Sequence, residues 1–423
     1  MLQKLLVRRV ALQMVMAACA FSAVTPASLA ATFMTLASFN GDNGANPFAG
    51  LIADAAGNLY GTTLDGGSSN YGTIFQLEAG TNTLTTLASF NYENGAYPSN
   101  DLIADAAGNL YGTTYQGGAS TFGTVFRLEA GTSTITTITE FNVANGARPY
   151  GGLIADAAGN LYGTTYAGGP NFRGTVYRIE AGTNTLTTLA SFDGANGEGA
   201  RARLLADSAG NFYSTTEYGG VSGFGTVFRL DAGTNTLTAI ALFNNENGAH
   251  PIAGLVADAT GNLYGTTVKG GENNRGTVFR VDAGTNTLTT LVSFNGANGA
   301  SPIASLIADV AGNLYGTTES GGEYNYGTVF RIEASTNILT TLASFSDQAD
   351  EPTFPTGSLI ADAVGNLYGT SRSGGVSNLG TIFRITDAGF VVPEPGNVVL
   401  CLTVSIFLVG RVARRRDRVR SHS

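Results

Sequence analysis

The stretch Asp105-Ala106-Ala107-Gly108-Asn109-Leu110-Tyr111-Gly112-Thr113-Thr114 decides the reading of this chain, because it returns along the sequence with small variations. Its tyrosine recurs as Tyr60, Tyr111, Tyr162, Tyr213, Tyr264, Tyr315 and Tyr368; five of the intervals are 51 residues and the last is 53. A fixed period of this length marks a stack of identical supersecondary units. The two extra residues fall between Phe345 and Leu359.

Each unit holds four apolar runs rich in Val, Ile, Leu, Phe, Tyr and Thr, separated by Gly, Asn and Asp. In the second unit they span 102–104, 109–114, 124–129 and 134–141. No segment of the body keeps a 3.6-residue apolar period or carries helix caps. Four short strands per unit make one antiparallel propeller blade, and a β-helix would repeat at a shorter period. The expectation is an all-β, seven-bladed β-propeller over residues 31–389.

The ends of the array are complementary. Thr32-Phe33-Met34-Thr35-Leu36-Ala37-Ser38-Phe39 matches a fourth run, and the seventh unit stops after its third run at 380–385. The N-terminal strand is therefore expected to pair in the last blade, leaving no orphan strand edge.

Composition agrees with a turn-rich repeat: 58 glycines, no tryptophan, 13% charged residues and 43% apolar ones. Residues 31–392 hold 13 of the 22 basic and 29 of the 31 acidic side chains, a net charge of −16. That argues against nucleic acid, whose phosphates need clustered Lys and Arg. Cys19 and Cys401 are the two cysteines of the chain. Both fall in the terminal segments, so the body has neither a disulfide nor a thiolate metal site.

Residues 1–30 read as a signal peptide. Lys4, Arg8 and Arg9 precede an apolar stretch over 10–24, and Ser28-Leu29-Ala30 offers small residues to signal peptidase, with cleavage after Ala30. The alternatives are a lipoprotein signal with lipid on Cys19 and an uncleaved anchor. At the other end Pro393-Glu394-Pro395 precedes an apolar run over 396–410 and then Arg411, Arg414, Arg415, Arg416, Arg418 and Arg420. The run falls short of the ~20 residues that span a bilayer comfortably, and the arginines would stay cytoplasmic.

Two resemblances follow from these residues. The tail over 390–423 resembles the PEP-CTERM sorting signal of exopolysaccharide-making Gram-negative bacteria. That resemblance implies an exosortase-type membrane protease as partner, transient inner-membrane insertion, and Pro393, Glu394, Pro395, Arg414, Arg415 and Arg416 as the sorting residues. An ordinary single-span anchor is the alternative. Gly123-Thr124-Val125-Phe126-Arg127-Leu128, with its six counterparts, is similar to the GTVF-type GloVer tandem repeat of choice-of-anchor surface proteins. It covers 32–386 and implies a propeller without an established activity. The Asp105–Tyr111 phrase also resembles sensor-type propeller repeats.

Chemistry has to be sought where the units differ. A meander places the first and third turns of every blade on one face. There the turns are constant: Asp54, Asp105, Asp156, Asp207, Asp258, Asp309 and Asp362 open the first, and Glu78, Glu129, Glu180, Asp231, Asp282 and Glu333 lead the third. No cofactor is expected. Calcium is the cation such a ring would suit, against the favoured reading that these side chains satisfy turn backbone.

The opposite face varies. Before its proline the units carry Asn46, Tyr97, Arg148, Gly199, His250, Ser301 and Phe354, a position expected near the mouth of the central channel. Before Gly-Thr they carry Tyr71, Phe122, Arg173, Phe224, Arg275, Tyr326 and Leu379. The fourth unit replaces the proline with Ala200 and adds Arg201 and Arg203. Tyr97, Arg148, Arg201, Arg203, His250 and Phe354 are thus the candidate ligand-binding residues, suited to a carbohydrate or a peptide; unconstrained drift of these loops is the alternative.

Catalysis has little support. His250 is the one histidine of the body, so no His-rich metal centre or Ser-His-Asp triad is expected, and no metal-binding or catalytic residue is nominated. The expected role is an exported surface or matrix binding module with exopolysaccharide as ligand. A structural envelope protein without a ligand comes second, and a carboxylate glycan hydrolase third.

Overall fold

The computed structural model describes residues 31–392, and these form strands and loops without a helix. Seven antiparallel sheets follow one another along the chain, one per unit. The second blade shows the plan: Ile103–Ala104, Leu110–Thr114, Thr124–Leu128 and Ile135–Glu140 pair in sequence order. The seven sheets form a ring, a seven-bladed β-propeller. The signal-peptide residues, Cys19, Cys401, Pro393, Glu394, Pro395, Arg414, Arg415 and Arg416 lie outside the described residues.

Hydrophobic burial is concentrated between blades rather than within them. Ile103 and Val125 of the second blade share a cluster with Leu153, Leu161, Tyr177 and Ile179 of the third, with Phe141 from the connection between them. Each interface repeats a T-shaped or tilted pair of rings. Phe39–Phe75, Phe90–Phe126, Phe141–Tyr177, Phe192–Phe228, Phe243–Phe279, Phe294–Phe330 and Phe345–Phe383 have centroids 5.0–5.2 Å apart. Such pairs add about 0.5–1.5 kcal/mol beyond the area they bury.

The second ring of six of the seven pairs lies over a glycine, and that of the fourth blade, Phe228, lies opposite Ser214. A Cβ on Gly112 would stand 2.6 Å from Cζ of Phe126, so in these six blades the middle residue of the second strand leaves the ring room to cover its backbone. The repeated tyrosines also pack at these interfaces, as Tyr111 does beside the cluster of the second and third blades.

Closure follows the complementary ends. Thr32–Ser38 pairs with Thr381–Thr386, from Thr32 opposite Thr386 to Ser38 opposite Thr381. The two-residue insertion belongs to a connection that contributes Pro352–Pro355, which pairs with the lengthened strand Leu367–Gly374. Between the seventh and first blades, Thr370 Oγ1 donates to the Ala49 carbonyl at 2.8 Å and Thr356 Oγ1 to that of Pro47 at 3.1 Å. Thr215 makes the same link to Ala253 at an internal interface, at 3.0 Å. Past the last strand, Phe390 and Val391, counted with the tail in the sequence reading, pack against the ring.

Tyr177 is the exception among the paired rings. It is fully buried, and its hydroxyl has no hydrogen-bond partner. An unpaired buried hydroxyl costs about 1–3 kcal/mol. Tyr177→Phe, the residue the other six interfaces carry, is expected to stabilise the protein by about 1–2 kcal/mol, read as a higher urea midpoint at unchanged slope. A lower midpoint would show that the hydroxyl has a partner in solution.

Candidate functional site

The two faces of the ring are built by different chemistry. On the constant face, Asp105 Oδ1 accepts from the N–H groups of Ala107 and Asn109 at 2.9 and 3.0 Å. Its Oδ2 accepts from Asn109 Nδ2 at 2.7 Å and the Tyr111 hydroxyl at 3.0 Å. Asn109 Oδ1 in turn accepts the Ala130 N–H at 3.0 Å, tying the first turn to the third. The repeated tyrosine thus has a polar role that its packing does not reveal. The acids of the third turn pair locally: Arg178 with Glu180 at 3.4 Å, Arg229 with Asp231, and Arg280 with Asp282 at 2.6 Å. Among the described residues no group of three or more His, Cys, Asp or Glu is placed to hold a metal ion.

On the variable face the second strand ends in Thr-Thr, and the second hydroxyl fixes the loop that follows. Thr114 Oγ1 meets Thr124 Oγ1 at 2.9 Å and donates to the Gln116 carbonyl at 2.9 Å. The residue between, Tyr115, is thereby presented toward the ring centre. Its counterparts are Leu64, Tyr166, Glu217, Val268, Glu319 and Arg372.

The connection from the fourth strand to the next blade turns at a residue of positive φ. Tyr97, Arg148, His250 and Phe354 take φ of 60°, 58°, 57° and 56°. Their N–H groups donate to Tyr71, Phe122, Phe224 and Tyr326, the residues before Gly-Thr in the preceding blade, at 2.8–3.0 Å. The channel lining itself comes from a neighbouring position. The pre-proline residues stand over the loops of the preceding blade, and the residues after the proline line the channel: Phe48, Tyr150, Arg201, Ile252 and Ile303 are among them. The left-handed turn followed by proline reverses the chain, so the residues on its two sides take different places, one over the preceding blade's loop and one on the channel wall.

The channel is narrow. Gly50, Asp101, Gly152, Arg203, Gly254, Ser305 and Ser358 lie around it, and its cavity is about 60 Å³. Ligand pockets run to several hundred Å³, so this space suits a few waters. Its groups engage one another, with the Gly50 N–H on Asp101 Oδ1 at 2.7 Å and the Gly254 N–H on Ser305 Oγ at 2.9 Å.

The mouth above is asymmetric. Rings of Tyr115 and Tyr150 lie 4.4 Å apart, and those of Tyr150 and Tyr166 lie 5.6 Å apart. The Arg201 guanidinium sits 4.5 Å from the Tyr150 centroid and 6.0 Å from that of Tyr166, and Nη1 is 3.2 Å from Glu217 Oε2. Arg148 lies 5.4 Å from the Tyr115 centroid. His250 Nδ1 is 3.2 Å from the Glu217 carbonyl, and its ring is 5.2 Å from that of Tyr218. Burial pushes the Tyr150 phenol well above its ordinary value despite Arg201 beside it. Burial and Glu217 push Tyr218 up to about 12. The Tyr150 and Tyr218 phenols therefore keep their protons at neutral pH.

Of the six candidates from sequence, Arg148, Arg201 and His250 meet in this sector, and Arg203 lies in the channel below. Tyr97 stands apart with Tyr71, 5.8 Å between rings. Phe354 pairs with Tyr326 at 5.4 Å, under Arg372. Tyr115, Tyr150, Tyr166, Glu217 and Tyr218 were not nominated from sequence. Their signal was available, since the positions after Gly-Thr-Thr and after the proline differ among the units as much as the pre-proline position does.

The family profile of the Gloeobacter/Verrucomicrobia repeat matches residues 18–209 and 200–393. The chain belongs to this family. No curated protein matches it. Among solved structures, the extracellular domain assigned to a B. thetaiotaomicron one component system is similar at TM-score 0.57 and 11% identity, covering 84% of this chain and 40% of that one. A domain assigned to a hybrid two component system of the same organism gives 0.57 and 12%, covering 83% and 39%. The chain spans about two fifths of the length of those solved chains. At such identities the likeness speaks for the fold alone.

Acid should reveal the turn chemistry. Burial opposes the charge on the turn aspartates, but the hydrogen bonds from Asn and Tyr outweigh it. Asp54, Asp105, Asp156, Asp207 and Asp362 fall below the usual carboxylate value, and Asp258, with Thr260 added, falls to about 2. Depressed carboxylates contribute stability that is full above their unfolded pKa of about 3.9 and is lost as pH falls through the folded values. Stability is expected to hold down to about pH 4 and to drop toward pH 2, measured by urea unfolding across that range. A decline that is complete above pH 4 would contradict it.

Proposed function

We propose that the protein is an exported surface binding module whose variable face holds a polysaccharide. The observation that supports this reading is the sector of Tyr115, Tyr150, Tyr166, Arg148, Arg201 and Glu217 at the channel mouth. A sugar ring presents a C–H face that packs on aromatic rings and a rim of hydroxyls that bond to guanidinium, carboxylate and phenol. Export is supported by the N-terminal residues Lys4, Arg8, Arg9 and Ser28-Leu29-Ala30, and by the fold shared with extracellular domains. Sorting by an exosortase-type protease rests on Pro393-Glu394-Pro395 and the arginines beyond it.

Co-sedimentation of the protein with the producing organism's exopolysaccharide tests the ligand. Saturable binding is expected, with Tyr150→Ala and Arg201→Ala each weakening it about three- to tenfold, the scale of one stacked cation or ring. Absence of binding, or binding indifferent to both changes, would leave a surface protein without a glycan site. Processing is checked separately by intact mass of the protein from its native envelope. The expected species starts near Ala31 and lacks the arginine tail; a retained tail would mean a plain membrane anchor.

A further inference from the structure

The constant face carries a second kind of site, at the crevices between neighbouring blades. Between the sixth and seventh blades the crevice is filled by the chain's own end. The Phe390 ring lies 5.0 Å from that of Tyr315 and packs against the cluster containing Ile307, Leu367 and Ile385. The Tyr315 hydroxyl donates to the Gly389 carbonyl at 2.7 Å, and the Val391 N–H to Asp309 Oδ2 at 3.3 Å. The Val310 N–H closes the set on the Val391 carbonyl at 3.3 Å. Between the third and fourth blades a different phenylalanine lies against the equivalent tyrosine. Phe212, where the other units have leucine, places its ring 4.8 Å from that of Tyr162.

At the first–second and second–third interfaces the same tyrosines face open space. Leucines 110 and 161 occupy the position of Phe212, and cavities of about 460 and 430 Å³ remain. Their walls repeat those around Phe390. Ile103, Asp105, Tyr111 and Ala155 line one, and Ile52, Asp54, Tyr60 and Ala104 the other. These volumes are in the range of ligand pockets.

We propose that these two crevices are docking sites for an extended peptide segment that carries a phenylalanine. The occupant's chemistry is taken from residues 389–391. A phenyl ring fills the apolar cleft against Tyr111 or Tyr60. The preceding carbonyl accepts the tyrosine hydroxyl, and the following N–H donates to the turn aspartate. The tyrosine proton that otherwise bonds Asp105 or Asp54 is shared with the incoming carbonyl, as Tyr315 shares its own between Asp309 at 3.2 Å and Gly389. Main-chain bonds supply part of the affinity and the ring supplies selectivity.

The test is a fluorescence anisotropy titration of the purified protein into a labelled peptide of the sequence of residues 387–392. Saturable binding is expected, at least about tenfold weaker when the peptide phenylalanine is replaced by alanine. Leu110→Phe with Leu161→Phe should remove it, because the fourth blade shows that the fold accepts phenylalanine there. Tyr60→Phe with Tyr111→Phe, which deletes only two hydroxyls, should weaken binding about three- to tenfold. No saturable binding up to about 1 mM peptide, or undiminished binding by both double variants, would overturn the proposal. In the latter case the peptide would be displacing the chain's own end or binding elsewhere.

Discussion

The ring depends on an aromatic side chain that covers the second strand of its own blade, over a glycine in six units and over Ser214 in the fourth, and meets a ring from the blade before. The second strand of a blade gives up a side chain at Gly112 so that Phe126 of the third strand can cover its backbone, and the exposed edge of that ring meets Phe90 from the preceding blade. One contact thus joins strand to strand and blade to blade. The spacing between rings stays at 5.0–5.2 Å from one interface to the next, including the fourth blade with its Ser214. The same constraint explains why the blades are individually thin. Their apolar side chains are committed to neighbours, so no blade has a core of its own and the ring must close to satisfy the last interface.

Closure and turn chemistry then divide the labour between the faces. The Asp-Asn-Tyr turns engage both carboxylate oxygens locally and cross-link the two turns of a blade, a pattern repeated from unit to unit. The variable face is tied down from below by paired threonine hydroxyls. Side chains above them can change without disturbing the strands, and this separation is how a repeat scaffold carries a binding surface.

Much of this was legible in the sequence. Tyrosine spacing gave the units, and the strand missing from one end was present at the other. What resisted reading was direction. Whether the residue before or after the proline reaches the channel depends on a positive φ at Arg148 or His250, and no composition rule places a non-glycine residue there. Tyr150 was overlooked for that reason, although its position varies as visibly as that of Arg148. Phe390 was assigned to the tail because its partner, the Tyr315 ring, lies 75 residues earlier in the chain. Periodicity within the units says nothing about a contact made once.

The fourth blade departs from the repeat where the mouth is most asymmetric. Its departures from the repeat include Phe212 on the constant face and a set around the channel: Gly199, Ala200, Arg201, Arg203 and, on the second strand, Ser214 in place of glycine. The set around the channel converges in space. A Cβ at position 199 would come within 3.0 Å of the Tyr166 ring, so glycine leaves room for the ring that Arg201 stacks on. Without proline the segment loses a stiff residue, and the Ser214 hydroxyl donates to the Arg203 carbonyl at 3.0 Å, a bond the glycine of the other units cannot make. At this mouth one guanidinium, that of Arg201, lies between two tyrosines and a glutamate.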